Sequence, residues 1–158
     1  MVAHNLVILD EIVQFAVRGP KMLRVLFVCT GNTCRSPMAE GVLRAQAELW
    51  GIGEHLIVDS AGTTRWHEGE EPTHEAQIAA ASHGYFIGDL TSRPVNTADF
   101  DNFDWIICMT REHQKALRER RRGSDQAQIL LASAFSPYLG AIEIKDPWGQ
   151  GQSAYDTA

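Results

Sequence analysis

Residues 25–37 read Val-Leu-Phe-Val-Cys-Thr-Gly-Asn-Thr-Cys-Arg-Ser-Pro: an apolar run, a loop that contains glycine, and a helix start. The apolar run, Arg24–Val28, predicts a parallel strand that is buried on both faces. Ser36 is predicted to cap a helix that begins at Pro37 and ends at Trp50, before a glycine. The segment therefore predicts a strand, a tight loop and a helix in direct succession.

Similar units continue along the chain. Apolar runs predict three more strands at 56–59, 105–109 and 128–131, and helical segments lie at 73–83 and 111–121. Strands that alternate with helices indicate right-handed crossovers, so the sequence predicts an α/β fold, a small doubly wound, four-stranded parallel sheet flanked by helices. A ligand is then expected at the carboxyl ends of the strands, just after Val28, Asp59 and Met109.

Composition narrows the class of protein. The length of 158 residues fits one domain, and three cysteines are too few for a disulfide framework, which favours a reducing compartment. The net charge of −6 argues against nucleic acid or an anionic membrane surface as a partner. The basic run at 118–122 is interpreted as a solvated helix end. No apolar stretch reaches the ~18 residues of a membrane helix, so we expect a cytoplasmic protein.

The loop Cys29–Arg35 has the residue types that bind phosphate. Gly31 permits a tight turn, and Asn32 tolerates a left-handed conformation, so that successive N–H groups can point inward as an anion nest. The helix that follows adds its positive end, and Arg35 adds a planar fork for two phosphate oxygens. These features also favour a nucleophilic thiolate at Cys29. The predicted phosphate-binding residues are Thr30, Gly31, Asn32, Thr33, Cys34 and Ser36.

The turn Asp146-Pro147-Trp148-Gly149 offers an acid for the leaving group of a phosphate ester. Pro147 favours an extended Asp146, and Gly149 ends the turn, so the carboxyl group can reach over the loop. The six histidines and the carboxylates show no metal-ligand spacing. We therefore expect no metal and no cofactor.

These residues resemble the low-molecular-weight protein tyrosine phosphatase family, from about Met22 to about Gly149. The similarity is carried by 25–40, 59–62, 66–67, 104–109 and 146–148. It implies hydrolysis of phosphotyrosine in a phosphorylated protein substrate. Cys29 would form a phosphocysteine, Arg35 would bind phosphate, and Asp146 would act first as general acid and then as general base.

The resemblance also implies supporting roles. A hydrogen-bond network of Asn32, Ser36, Ser60 and His83 would hold the loop. Trp66 and Trp148 would form the walls of the substrate pocket, and Cys34 would form a protective disulfide with Cys29 under oxidation. Cys108, inside an apolar strand, is predicted to be inert core.

The chain departs from the family at both ends. Residues 1–21 are predicted to form an extension before the phosphatase domain, which covers 22–158. The C-terminus of this domain is short. The family usually continues into a C-terminal helix, and 153–158 would be only the start of that helix. Apolar residues at near-helical spacing predict a helix over 5–17 that covers the face left bare. If this helix covers the sheet of its own chain, the protein is a monomer; if it covers the sheet of a second copy, the protein is a weak homodimer. Thr110 also stands where many members carry Asp.

Three other functions remain open. A bacterial branch with phosphoarginine phosphatase activity shares Thr33 and Thr110, whereas an aromatic wall at Trp148 favours phosphotyrosine. Arsenate reduction needs a pair of resolving cysteines, and only Cys108 follows the loop. A non-catalytic phosphate-binding or redox-sensing module is supported by the short C-terminus alone.

Overall fold

The computed structural model describes residues 22–123, 126–135 and 143–158. The sheet has four parallel strands, β1 (Leu23–Cys29), β2 (Leu56–Gly62), β3 (Trp105–Cys108) and β4 (Gln128–Leu131). The helices are α1 (Arg35–Leu49), α2 (His74–Ser82), α3 (Asp99–Asn102), α4 (Arg111–Arg120) and α5 (Gln152–Thr157). Short 3-10 turns lie at Gly53–His55 and Ala132–Phe135.

The strand order is β2-β1-β3-β4, which confirms the predicted doubly wound α/β sheet. β1 pairs with β2 from Leu23↔Leu56 to Cys29↔Gly62, and with β3 from Val25↔Trp105 to Val28↔Cys108. The chain therefore leaves β1 to one side for β2 and later returns to the other side for β3. This change of direction opens a crevice at the carboxyl end of β1, where such folds bind ligands.

The central strand β1 is buried on both faces, which explains its almost continuous apolar sequence. Val25 and Phe27 pack with Leu43 of α1, whereas Leu26 and Val28 pack in a second cluster with Leu117 of α4. Burying one such side chain stabilises the fold by about 1.5–3 kcal/mol. The helices that pack on both faces of β1 therefore hold the strand, and with it its carboxyl end, in place.

The helix starts differ in part from the prediction. α1 begins at Arg35, and Cys34 occupies the N-cap position without a side-chain cap bond. The prediction of Ser36 as N-cap was wrong, because Ser36 is already the second residue of the helix. Its hydroxyl contacts the Cys29 sulfur at 3.0 Å. Thr73 and Thr110 do cap their helices, accepting from backbone N–H groups three residues on. The short helix α3 was not predicted.

The predicted helix over 5–17 lies outside the described residues. At the other end, the segment expected to start a helix does so as α5. None of the helices in the described ranges is long and apolar enough to cross a membrane.

Candidate active site

The end of β1 and the start of α1 together form a tight loop around the Cys29 sulfur. Cys29 is buried, and its Sγ receives the backbone N–H of Asn32 at 3.3 Å and lies 3.0 Å from Ser36 Oγ. Asn32 has a φ of 59°, the one left-handed residue other than glycine in the described part of the chain. The predicted left-handed turn is therefore at Asn32, which directs its backbone N–H at the sulfur and lets the loop close around it.

A buried hydrogen-bond network holds Asn32 in this conformation. Its Nδ2 donates to Ser36 Oγ at 2.9 Å and to Ser60 Oγ at 2.8 Å. Its Oδ1 accepts the backbone N–H of Arg93 at 2.9 Å. Ser60 in turn donates to Glu40 Oε2 at 2.5 Å. These bonds supply the partners that a strained, buried turn requires.

Glu40, rather than His83, completes this network. Its carboxylate is buried and pairs with Arg44 at 2.6 Å, and burial raises its pKa. The expectation that His83 supports the loop is corrected, because its ring is exposed at the end of α2. There His83 Nδ1 contacts only the Ala79 carbonyl and Ser82 Oγ of its own helix among the described residues.

Arg35 and Asp146 meet above the loop. Arg35 Nη2 donates to Asp146 Oδ2 at 2.7 Å, and Nη1 donates to the Ile144 carbonyl at 3.1 Å. Within the described ranges, Arg35 Nε is the one buried side-chain polar atom without a hydrogen-bond partner. The Asp146 side chain is 49% exposed, and the Trp148 N–H supports its other oxygen at 3.3 Å.

A cavity of about 180 Å³ opens between these groups. Most of the predicted site residues line this cavity, namely Cys29, Thr30, Gly31, Thr33, Cys34, Arg35, Trp66, Asp146 and Trp148. His67 also lines it and was not predicted. Trp66 and Trp148 are exposed at its mouth. The pocket is therefore polar around Cys29 and Arg35 and aromatic at its rim.

His67 fixes one wall of this cavity. Its ring lies 5.3 Å from the Trp148 ring, and its Nδ1 bonds Glu70 Oε2 at 2.7 Å. A Cβ on Gly31 would lie 2.8 Å from His67 Cδ2. Gly31 thus allows the close approach of this ring, whereas its own φ is not positive and the left-handed position of the turn is Asn32.

His113 is buried at the N-terminal end of α4 and contacts the loop from the other side. Its Nε2 lies 2.9 Å from Thr30 Oγ1, and its Nδ1 lies 3.0 Å from Thr110 Oγ1. Burial, aided by the nearby Arg35 guanidinium, lowers the pKa of His113 to about 4. The ring is therefore neutral at pH 7.

The other two cysteines are also buried as free thiols. Cys34 Sγ lies 3.5 Å from the Tyr155 hydroxyl of α5 and 3.7 Å from Thr73 Oγ1. Cys108 is inside β3, where burial raises the pKa of its thiol to about 12, as expected for inert core. No cluster of three or more His, Cys, Asp or Glu side chains suited to a metal ion occurs in the ranges that the structure describes.

Residues 24–158 match the family model described as low molecular weight phosphotyrosine protein phosphatase. The chain belongs to this family. A low molecular weight protein-tyrosine-phosphatase from Streptomyces coelicolor is 38% identical over 136 residues, which cover 84% of this chain and 82% of the relative. Together with the loop geometry, the match places the family's Cys-X5-Arg loop at Cys29–Arg35.

Solved structures of other phosphatases have the same fold. The protein tyrosine phosphatase of Entamoeba histolytica, crystallised with Hepes in the active site, is 34% identical with a TM-score of 0.80. The alignment covers 84% of this chain and 85% of that chain. The Drosophila arginine phosphatase is 32% identical with a TM-score of 0.77, covering 85% and 87%.

Glu40 and His113 were missed as site residues of this phosphatase-family chain, although the sequence contains a signal for each. Glu40 follows Ser36 by four residues and shares the buried face of α1 with Leu43. His113 precedes the buried Leu117 by four residues on α4. A polar side chain in the apolar stripe of a helix needs a buried hydrogen-bond partner. Glu40 has this partner in Ser60, behind the loop, and His113 has it in Thr30, within the loop.

Proposed function

We propose that this chain hydrolyses phosphotyrosine in proteins through a phosphocysteine at Cys29. The observation that carries the proposal is the convergence of Cys29, Arg35 and Asp146 on one cavity with exposed tryptophans at its mouth. Membership of the family and the name of the Streptomyces relative support the same substrate class.

Substrate phosphate competes for groups that are already arranged for anions. The Arg35 fork holds two oxygen acceptors, the Asp146 carboxylate and the Ile144 carbonyl, at 2.7 and 3.1 Å. A phosphate dianion is a stronger acceptor than either, so it takes over the fork and releases Asp146 toward the leaving group. The buried Arg35 Nε–H, which has no partner among the described residues, supplies a further donor.

In the first chemical step the Cys29 thiolate attacks phosphorus. The S–P bond forms as the P–O bond to the tyrosine oxygen breaks, and Asp146, which takes up a proton from solvent once it has left the Arg35 fork, gives that proton to the tyrosine oxygen. The Ser36 hydroxyl and the Asn32 N–H, 3.0 and 3.3 Å from the sulfur, stabilise the thiolate before the attack. Arg35 and the loop N–H groups neutralise the charge that the phosphoryl oxygens carry in the transition state.

In the second step water attacks the phosphocysteine. Asp146, now a carboxylate, takes a proton from that water as the P–O bond forms and the S–P bond breaks. Inorganic phosphate leaves, and Cys29 is again a thiolate. The 49% exposure of Asp146 gives the attacking water direct access to its base.

The aromatic rim favours a phenyl ring as the group that carries the phosphate. Trp66 is 76% exposed and Trp148 is 55% exposed, so both offer ring faces at the mouth of the cavity. The His67 ring, inclined by 45° to that of Trp148, forms the wall below them. A flat substrate ring between such faces gains stacking as well as apolar contact.

Phosphoarginine hydrolysis is the second candidate. Thr33 lines the cavity with a small polar side chain, and the Drosophila structure is named an arginine phosphatase. A hydroxyl at this position can accept a hydrogen bond from a guanidinium or position the attacking water.

The test compares kcat/KM for one peptide that carries phosphotyrosine with that for the same peptide carrying phosphoarginine. We expect a preference for phosphotyrosine, and we expect this preference to fall in Trp148→Ala. The matched control is Trp50→Ala, which removes a tryptophan at the end of α1. A preference for phosphoarginine that is lost in Thr33→Val would replace the first candidate with the second. Turnover of neither peptide would refute both.

A further inference from the structure

The mechanism proposed above leaves one buried imidazole unused. His113 is 4% exposed, and its two ring nitrogens contact two threonine hydroxyls, Thr30 Oγ1 at 2.9 Å and Thr110 Oγ1 at 3.0 Å. Thr30 directly follows the nucleophile Cys29 and lines the cavity. His113 thus connects the capped end of α4 to the second residue of the phosphate loop.

The contacts of Thr110 offer one arrangement that assigns the proton of the neutral His113 ring to a particular nitrogen. As the N-cap residue, Thr110 accepts the backbone N–H of His113 on Oγ1 at 3.3 Å. Its hydroxyl has one proton to donate, and His113 Nδ1 is the acceptor within reach among its described contacts. When the hydroxyl donates to Nδ1, the hydrogen of the neutral ring is on Nε2.

The same reasoning extends to Thr30. With the hydrogen on Nε2, His113 donates to Thr30 Oγ1, so Thr30 does not use its own proton on the ring. That proton remains available on the cavity side, where Thr30 is half-buried. In the opposite tautomer Thr30 would donate to Nε2 and would present only lone pairs to an anionic ligand.

We propose that His113 is a positioning residue which, through its Nε2–H, orients the Thr30 hydroxyl as a hydrogen-bond donor to the phosphate group in the cavity. This inference rests on the proposed function only in taking a phosphate group as the ligand. The site thereby gains a side-chain donor at the residue that directly follows Cys29, in addition to Arg35 and the backbone N–H groups.

Binding of inorganic phosphate to the full chain tests the inference without any need for turnover. A hydrogen bond to a charged acceptor predicts that Thr30→Val weakens phosphate binding about 10-fold. His113→Leu is expected to cause a similar loss, and the double variant no more than either single one. His113→Gln, whose amide offers an N–H near the Nε2 position, is expected to recover most of the affinity.

Unchanged phosphate affinity in Thr30→Val, or losses that add in the double variant, would overturn the inference. Nitrogen NMR of the wild-type ring provides a second test that needs no variant. It should show a protonated Nε2 and an unprotonated Nδ1 at pH 7, and the opposite tautomer would be contrary to the inference. Phosphate binding with this coupling but no phosphatase turnover would refute the proposed function alone.

Discussion

We expect the His113→Gln variant to lose less unfolding free energy than wild type as the pH decreases. In the folded chain, burial and the Arg35 guanidinium lower the pKa of His113 to about 4 from 6.5, against the opposing influence of Asp146 and Glu143. Between these two values the unfolded chain binds a proton that the folded chain does not bind. Stability therefore falls as the pH decreases from about 6.5 to about 4. Linkage gives a loss of about 2 kcal/mol at pH 5 relative to pH 8.

Urea denaturation, followed by tryptophan fluorescence between pH 8 and pH 5, measures this loss. Wild type should lose about 2 kcal/mol more unfolding free energy over this range than His113→Gln. His83→Gln, which removes an exposed imidazole at the end of α2, is the matched control and should follow wild type. Parallel curves for wild type and His113→Gln would refute the assignment of a buried neutral ring.

Four further changes test the site. Asp146→Asn should slow hydrolysis of an ester with a poor leaving group by about 10²–10⁴-fold, and one with a good leaving group much less; equal losses would remove Asp146 as the acid. Arg35→Lys should weaken phosphate binding and lower kcat together, because an ammonium cannot reproduce the planar fork, and a change in only one would contradict this. Gly31→Ala should lower stability by about 1–3 kcal/mol through the contact with His67, and a second change, His67→Ala, should recover part of it. In Cys34→Ser, excess peroxide should carry Cys29 past the reducible sulfenic acid, so that dithiothreitol restores less activity than in wild type; equal recovery would contradict a protective disulfide between Cys34 and Cys29.

The sheet and the loop were predictable because local sequence determines both. β1 needs apolar residues on both faces, and its carboxyl end at a change of strand direction predicts the position of the ligand site. Asn32, next to a glycine and before a helix start, indicated the left-handed turn. The strand and the turn are each determined by residues within a few positions of one another, and the change of strand direction follows from the alternation of strands and helices.

The network behind the loop could not be predicted in the same way, because its members come from distant parts of the chain. Ser36 is predicted as a helix cap because serine is favoured at the N-cap and proline at the first helical position, whereas tertiary contact places its hydroxyl on the Cys29 sulfur. The resemblance placed His83 in the network with Ser60, whereas the packing of α1 on β2 brings Glu40 Oε2 within 2.5 Å of the Ser60 hydroxyl. A sequence lists such donors and acceptors without giving their distances.

Detection of the phosphoryl enzyme is the most direct test of the central claim. Wild type mixed with a phosphotyrosine peptide and quenched in acid should carry one phosphoryl group on Cys29, located by peptide mass spectrometry. Cys29→Ser should show no turnover while still binding phosphate, because Arg35 and the loop N–H groups remain. A phosphoryl group on any other residue, or Cys29→Ser activity within about tenfold of wild type, would contradict the account.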